Sequence, residues 1–404
     1  MTAPLLLAYI CATILVQVAI GIGVAVWQWR RLLPQSSVTE ETTNPNVPGA
    51  WQGWREFRVA RREYEDGGEA QCSFYLEPLD GVPLLPFKAG QFLTFELPIF
   101  DRKVVRCYSL SDRPDPKRFR VTIKRLGPPA DRPHAPPGIA SSHFHDEVHE
   151  GDVLRVKAPA GAFFIDPDAT VPAVFIAGGV GITPMMSMVS WALAEQPQRI
   201  LHLFYGVRHG GEHAYKQVLE DLARVHPNFH LHVIYSRPSA VDLLGRDFHH
   251  AGHVDVDLLR RCLPQGRHQF YICGPAPMMA GLVPELAAWG VPPEDIRHEA
   301  FGPASLRSGV EDRQSPVIAG PIEVQFRRSG RTLSWDGRDA SLLDFAERHG
   351  IAVESGCRSG SCGSCETKLM SGNVRYGSAP DLEIKPGYCL LCIGTPQSDL
   401  MLEA

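Results

Sequence analysis

No excess of charge of either sign marks this chain: 40 lysines and arginines stand against 45 acidic residues over 404 positions, a net charge of −5. The basic footprint of a nucleic-acid binder is missing, so no nucleic-acid partner is expected. Cysteine is sparse for the length. Ten in 404 residues do not make the dense framework of a small secreted disulfide scaffold. Six of them, Cys11, Cys72, Cys107, Cys262, Cys273 and Cys389, follow no regular spacing. The histidines are scattered as well: His143, His145 and His149, or His249 and His250, give no metal-ligand pattern. Long apolar runs are absent with one exception, residues 5–26. With 44% hydrophobic and 21% charged residues the composition is globular, and the length calls for two to four domains.

The exceptional run, Leu5 to Val26, carries no charge. As a helix it would span about 33 Å, enough to cross the hydrocarbon core. Trp27 and Trp29 follow, then Arg30 and Arg31, an interfacial belt with a positive-inside signal. A cleaved signal peptide would show a basic start and a small-x-small site ahead of the arginines, and neither is present. Residues 1–31 are therefore predicted to be a single-pass anchor in the cell inner membrane, with the catalytic domains cytoplasmic. Residues 32–50 are rich in Pro, Thr, Ser and Asn and read as a tether with a reach of roughly 25 Å.

The strongest motif is Cys357-Arg-Ser-Gly-Ser-Cys362-Gly-Ser-Cys365, followed by Cys392. C-x4-C-x2-C with a distant fourth cysteine is the plant-type [2Fe–2S] spacing. Gly356, Gly360 and Gly363 let the loop wrap closely, since glycine tolerates positive φ and has no Cβ to meet sulfur. A zinc site would more often show paired C-x2-C knuckles, and within this loop only Cys362 and Cys365 form one. Two cysteines, Cys389 and Cys392, compete for the fourth position. Ile322–Phe326 alternates like a strand, and Leu342–Ala346 reads as a short helix ending near Gly350.

Residues 51–170 read as all-β, with strand-like runs at 57–60, 72–77, 91–97, 120–125 and 152–157 separated by turn signals. Arg106-Cys-Tyr108-Ser109 and Gly138-Ile-Ala-Ser141-Ser142 lie inside this region. An arginine and small hydroxyls suit an anionic diphosphate, and a tyrosine offers a flat face to a ring system. By alternation Arg106 and Tyr108 share one strand face. Residues 171–303 change character to alternating strands and helices, the pattern of a parallel nucleotide-binding sheet. Ala173–Ala177 runs into Gly178-Gly179-Val-Gly181-Ile-Thr183-Pro184. Thr183 is predicted as helix N-cap, Pro184 as first helical residue and Met185–Glu195 as the helix, its amides aimed at a diphosphate. Tyr205-Gly-Val-Arg208, Ser236-Arg237, Cys273-Gly274-Pro275 and Glu299-Ala-Phe301 close this region's strands. Residues 304–320 read as a linker to the cysteine-bearing segment, 321–404.

These motifs, in this order, resemble the ferredoxin–NADP reductase superfamily from about residue 51 to the end. The reductase portion of flavohaemoglobins and oxygenase reductases with a C-terminal ferredoxin domain are the nearest in pattern. The resemblance implies a Greek-key β-barrel for FAD, an α/β parallel-sheet domain for NADH or NADPH, and a β-grasp [2Fe–2S] domain. Gly387-Tyr388-Cys389-Leu-Leu-Cys392 resembles the closing ferredoxin segment whose last cysteine is the ligand. That selects Cys357, Cys362, Cys365 and Cys392 and leaves Cys389 a buried thiol. Arg106, Tyr108, Ser109, Gly138, Ser141 and Ser142 then serve the flavin, with Ser109 reaching its N5 edge. Gly179, Gly181, Thr183, Pro184, Arg208, Arg237, Gly274 and Pro275 serve the nicotinamide nucleotide. Cys273 and Glu299 are implied beside the nicotinamide C4 and flavin N5, and Phe301 beside the ring.

The implied activity is electron transfer from NAD(P)H through FAD to the iron–sulfur centre and on to an external acceptor. No globin, Rieske or mononuclear-iron motif is present, so oxygenation would belong to a partner, a membrane-associated oxygenase, hydroxylase or desaturase. Direct reduction of a quinone or ferric chelate is the alternative, and a redox-sensing iron–sulfur module a third. The nucleotide choice stays open at Arg237: it could hold a 2′-phosphate, while the flavohaemoglobin resemblance implies NADH.

Overall fold

The computed structural model describes residues 51, 53–100, 102–128, 133–168, 170–301, 322–377, 380 and 382–404. The expected anchor, tether and linker lie outside these residues. Among the described residues no helix is long and apolar enough to cross a membrane.

Strands β1 (Arg55–Tyr64), β2 (Gln71–Pro78), β3 (Phe92–Ile99), β4 (Arg102–Ser109), β5 (Phe119–Lys124) and β6 (Val153–Ala160) form one antiparallel sheet. Its order is β4-β3-β6-β1-β2-β5, and a bridge from Leu110 to Val121 closes the edges into a barrel. Inserting β6 between β3 and β1 gives the non-sequential order of a Greek key. Phe57, Phe74, Phe95 and Phe119 are fully or almost fully buried inside. Helix α1 (Ile139–Asp146) plugs one end, with Phe144 edge-on to Phe74 and Phe95.

The second layer system is a six-stranded, wholly parallel sheet of β7 (Ala173–Gly178), β8 (Leu201–Val207), β9 (Phe229–Tyr235), β10 (His250–Ala251), β11 (Gln269–Gly274) and β12 (Ile296–Ala300). The order β10-β9-β8-β7-β11-β12 reverses between β7 and β11. Their C-terminal ends are thus the switch point at which open α/β sheets bind ligands. Helices α2 (Ile182–Glu195), α3 (Lys216–Val225), α4 (Val256–Cys262) and α5 (Ala276–Ala288) link these strands. All six residues of β7 and of β11 are buried, as doubly covered parallel strands require.

The barrel and this sheet share a packed boundary. Ala89, Phe163 and Ile165 join the core of Phe175, Met185, Met188 and Tyr271. Tyr215, at φ 59°, donates its amide to the Glu65 carbonyl and reaches the Thr122 hydroxyl inside the barrel. Arg199, 1% exposed, donates to the Val171 and Asp166 carbonyls and to Gln196 and Gln269. A buried guanidinium is tolerated because its donors are satisfied in this way.

The C-terminal layer has a mixed five-stranded sheet, β14-β13-β19-β15-β17, from β13 (Ile322–Phe326), β14 (Arg331–Trp335), β15 (Glu366–Ser371), β17 (Tyr388–Leu390) and β19 (Leu400–Leu402). A small ladder pairs β16 (Val374–Tyr376) with β18 (Gly394–Pro396). Helix α6 (Leu342–Arg348) is capped by Ser341, whose hydroxyl accepts the Asp344 amide at 3.1 Å, and its Phe345 is fully buried.

Candidate functional site: three cofactor cradles in series

Helix α6 ends at the loop that carries three of the four cysteines. Arg358 takes a positive φ of 58° and is pinned by Glu347 and Asp344. Gly360 and Gly363 are also left-handed, at φ 80° and 67°. The backbone consequently folds over the sulfurs: the amides of Ser359, Ser361 and Cys362 reach Cys357 Sγ at 3.3–3.4 Å, and the Cys357 amide reaches Cys362 Sγ at 3.2 Å. Such donors stabilise thiolate sulfur and raise a cluster's potential. Cys365 and Cys392 form a second sulfur pair: their mutual hydrogen bond lowers the Cys365 thiol and raises Cys392. Cys389 lies on β17 opposite Thr367, in the core and 1% exposed, and burial pushes its thiol up to about 12. This donor set fits a [2Fe–2S] cluster held by Cys357, Cys362, Cys365 and Cys392. A Cβ on Gly356 would stand 2.8 Å from Cys362 Sγ, so any larger residue there would displace that sulfur.

Three of the residues expected to serve the flavin, Arg106, Tyr108 and Ser109, lie on β4. Val105, Cys107 and Ser109 face one way, Arg106 and Tyr108 the other. Tyr108 packs edge-on against Phe95 and Phe144. Ser109 is 5% exposed, and its buried hydroxyl has no partner among the described residues. A buried orphan hydroxyl of this kind fits a ring edge that accepts or donates a hydrogen bond. Arg106 is exposed and, among the described residues, donates only to the Val105 carbonyl, leaving most of its fork for an anion. Gly138 caps α1, and Ser141 is already engaged: its hydroxyl donates to the Gly138 carbonyl and accepts the Leu126 amide. Ser142, in contrast, is half-buried and bonds Gly138 only through its amide.

At the switch point the two glycine turns touch. A Cβ on Gly181 would lie 2.1 Å from the Cys273 carbonyl oxygen, and one on Gly274 would lie 3.2 Å from Gly178 Cα. The helix starts earlier than the sequence predicts. A 3-10 turn at Gly179–Gly181 leads directly into α2 at Ile182, so Gly181 is the N-cap. Thr183 lies inside the first turn, its hydroxyl donating to the Val180 carbonyl, and Pro184 still falls where no helical amide is lost. Lys124 of the barrel stands over this turn, 3.9 Å from a Cβ built on Gly179, and 3.9 Å from Glu212. The sequence had not singled out Lys124.

Cys273 and Glu299 are register partners on β11 and β12. Cys273 is fully buried, and burial, helped by Glu299, pushes its thiol well above the ordinary value. It therefore stays a neutral thiol. Phe301 packs against the shared core. On the other side of the switch point, Arg208 and Arg237 are brought together by a backbone bond, Arg237 N to Arg208 O at 2.8 Å. Arg208 is paired with Glu212; burial pushes that carboxyl up, but the guanidinium outweighs it and holds it below the usual range. Arg237 is exposed and has no ion-pair partner among the described residues. The Ser236 hydroxyl lies 3.4 Å from the Val207 carbonyl.

The cysteine loop lies against the flavin strand. Lys157 Nζ is 3.4 Å from the Cys362 carbonyl, and a Cβ on Gly356 would be 3.3 Å from Val105 Cγ1. Cys107 neighbours Cys362 across the same boundary and pushes its thiol up, to about 11. No spacing in the sequence signals this contact, because 255 residues separate the two cysteines.

The comparisons with known proteins agree in domain order. An oxidoreductase FAD-binding domain matches residues 73–165, an oxidoreductase NAD-binding domain residues 175–283, and a 2Fe-2S iron-sulfur cluster binding domain residues 324–397. The chain is similar to a flavohemoprotein of Rhizobium meliloti, 38% identical over 257 residues, 63% of this chain and 62% of that protein. It is also similar to a flavohemoprotein of Pseudomonas aeruginosa, 37% identical over 285 residues, 70% and 68% respectively. The match to the first thus spans under two thirds of its length. Among solved structures, phthalate dioxygenase reductase shares the fold over 87% of this chain and 98% of its own, with a TM-score of 0.53 and 24% identity. Sequence and domain order together place the chain in the ferredoxin–NADP reductase superfamily, as an oxidoreductase whose FAD- and NAD-binding domains are followed by a 2Fe–2S ferredoxin domain.

Proposed function

We propose that this chain is a membrane-anchored reductase that takes electrons from NAD(P)H and delivers them to a separate oxygenase, hydroxylase or desaturase. The observation that carries the reading is the seating of the cysteine loop on the barrel, where Val105 and Cys107 of β4 and Lys157 of β6 meet Gly356 and Cys362. It puts the iron–sulfur cradle on the strand that also presents Tyr108 and Ser109. Bound beside Tyr108 and Ser109, FAD would supply the conversion from two-electron to one-electron transfer, chemistry that belongs to the cofactors.

The protein's part is alignment. The turn at Gly179–Gly181 and the start of α2 receive the diphosphate. Cys273 offers a neutral thiol beside the implied nicotinamide position, and Glu299 adjoins it. Phe301 closes apolar surface over the core and excludes water. The phthalate dioxygenase reductase likeness supports an oxygenase as acceptor. The uncharged run at 5–26, with Arg30 and Arg31 after it, supports an anchor in the cell inner membrane with the domains in the cytoplasm.

Val105→Asp tests the carrying observation. It places a carboxylate against the cysteine loop and should slow cytochrome c reduction at least tenfold while leaving NADH-driven ferricyanide reduction near wild type. Unchanged cytochrome c reduction would remove the support. Quinone reduction indifferent to the substitution would favour direct transfer from the flavin.

A further inference from the structure

The far edge of the nucleotide sheet gathers three residues that the sequence leaves apart. His232 is on β9, His250 on the two-residue edge strand β10, and Cys262 is the last residue of α4. Each offers one ligand atom, and all three atoms lie within 4.8 Å of one another. Cys262 Sγ is 4.0 Å from His250 Nε2, and the rings of His232 and His250 stack with centroids 5.9 Å apart. His232 is held flat on Phe204, centroids 4.3 Å apart, and its Nε2 is buried with no hydrogen-bond partner among the described residues. An unpartnered buried ring nitrogen costs free energy unless something meets it.

We propose that His232, His250 and Cys262 form a binding site for a divalent transition ion of the zinc class, separate from the iron–sulfur cradle. Two imidazoles and a thiolate suit zinc, cobalt or copper, and the absence of carboxylate or carbonyl oxygen from the set disfavours magnesium and calcium. Bond lengths of about 2.0–2.3 Å put tetrahedral ligand atoms about 3.3–3.8 Å apart, so the three need close in only slightly. Burial lowers both imidazoles, His232 to about 4, so both nitrogens are neutral and ready to ligate at pH 7. Burial raises the Cys262 thiol against the pull of Arg261. Binding therefore exchanges one thiol proton for the metal–sulfur bond. The three side chains are only half-buried, which leaves the fourth position to water.

The ion would staple structure rather than join the electron path. Strand β10 is held to β9 by two register pairs, His250 to Ile234 and Ala251 to Tyr235, and lies three strands from β7. A metal would tie it to both β9 and α4. The test is equilibrium dialysis of the full chain, with its FAD and iron complete, against zinc sulfate, followed by elemental analysis and thermal unfolding. One zinc per chain beyond the iron, a Tm raised by several degrees, and loss of both in Cys262→Ser and in His250→Gln are expected. X-ray absorption at the zinc edge should show one sulfur and two imidazole nitrogens. Both variants are at half-exposed positions, and unchanged FAD and iron content verifies their fold. No retained zinc, or the same equivalent in both variants, overturns the assignment.

Discussion

Gly181→Ala probes the contact on which the nucleotide cradle depends. An alanine Cβ would stand 2.1 Å from the Cys273 oxygen, 2.5 Å from its carbonyl carbon and 2.9 Å from the Gly274 nitrogen. All three are backbone atoms of a buried central strand, so no side chain can rotate away. The turn must retreat from β11 by about 1 Å to reach ordinary contact. Overpacking of this kind costs ~1–3 kcal/mol, and a 1 Å misplacement of a positioning element costs about a hundredfold in rate. The expected result is a kcat/KM for NADH with ferricyanide lowered about a hundredfold, a lower Tm, and unchanged FAD content, since the barrel core is separate. Gly281→Ala on α5 is the internal control, because nothing lies within 4 Å of its Cβ; it should gain ~0.5–1 kcal/mol from helix propensity. A Gly181 variant within twofold of wild type would refute the reasoning.

Arg237→Ala should raise the KM for NADPH roughly ten- to a hundredfold, the loss of a charge-assisted contact of ~1.5–3 kcal/mol, and leave NADH unchanged; equal losses with both would point to diphosphate binding or folding. His213, 2% exposed with Nδ1 2.9 Å from the Tyr235 hydroxyl, is held by burial at about 3 against an ordinary 6.5. Its folded form stays neutral while the unfolded chain takes up a proton, so its contribution is full above pH 6.5 and is lost as pH falls toward 3. Urea unfolding between pH 7.5 and 5 should therefore show a stability slope that His213→Asn makes shallower, by up to ~1.4 kcal/mol per pH unit; parallel slopes would count against this. Deleting residues 1–31 should leave ferricyanide reduction intact and move the protein from the membrane to the soluble fraction; full-length protein in the soluble fraction would refute the anchor.

Much of this molecule was legible because its signals are local. Cys357, Cys362 and Cys365 lie within nine residues, and glycines at 356, 360 and 363 announce the wrapping. Two neighbouring strands of the parallel sheet, β7 and β11, are short and largely apolar and end in glycine. The start of α2 lies ahead of Thr183 because a 3-10 turn begins winding at Gly179, four residues before that side chain could cap it. What stayed hidden depends on distance in sequence. Cys107 against Cys362 and Lys124 over Gly179 are contacts between domains, and His232, His250 and Cys262 converge from three elements. The Ser141 hydroxyl also closes the Leu126–Gly138 turn, a role that hydrogen-bond geometry alone reveals.

The central claim, that electrons leave through a cluster held by Cys392 rather than Cys389, is tested by comparing the two serine variants. Iron content, low-temperature electron paramagnetic resonance after anaerobic reduction, and the ratio of cytochrome c to ferricyanide reduction are measured on the full chain. Cys392→Ser should lose the cluster signal and cytochrome c reduction while keeping NADH-driven ferricyanide reduction; Cys389→Ser should keep all three. Cluster loss in the Cys389 variant, or cytochrome c reduction surviving in a Cys392 variant without iron, would contradict the account.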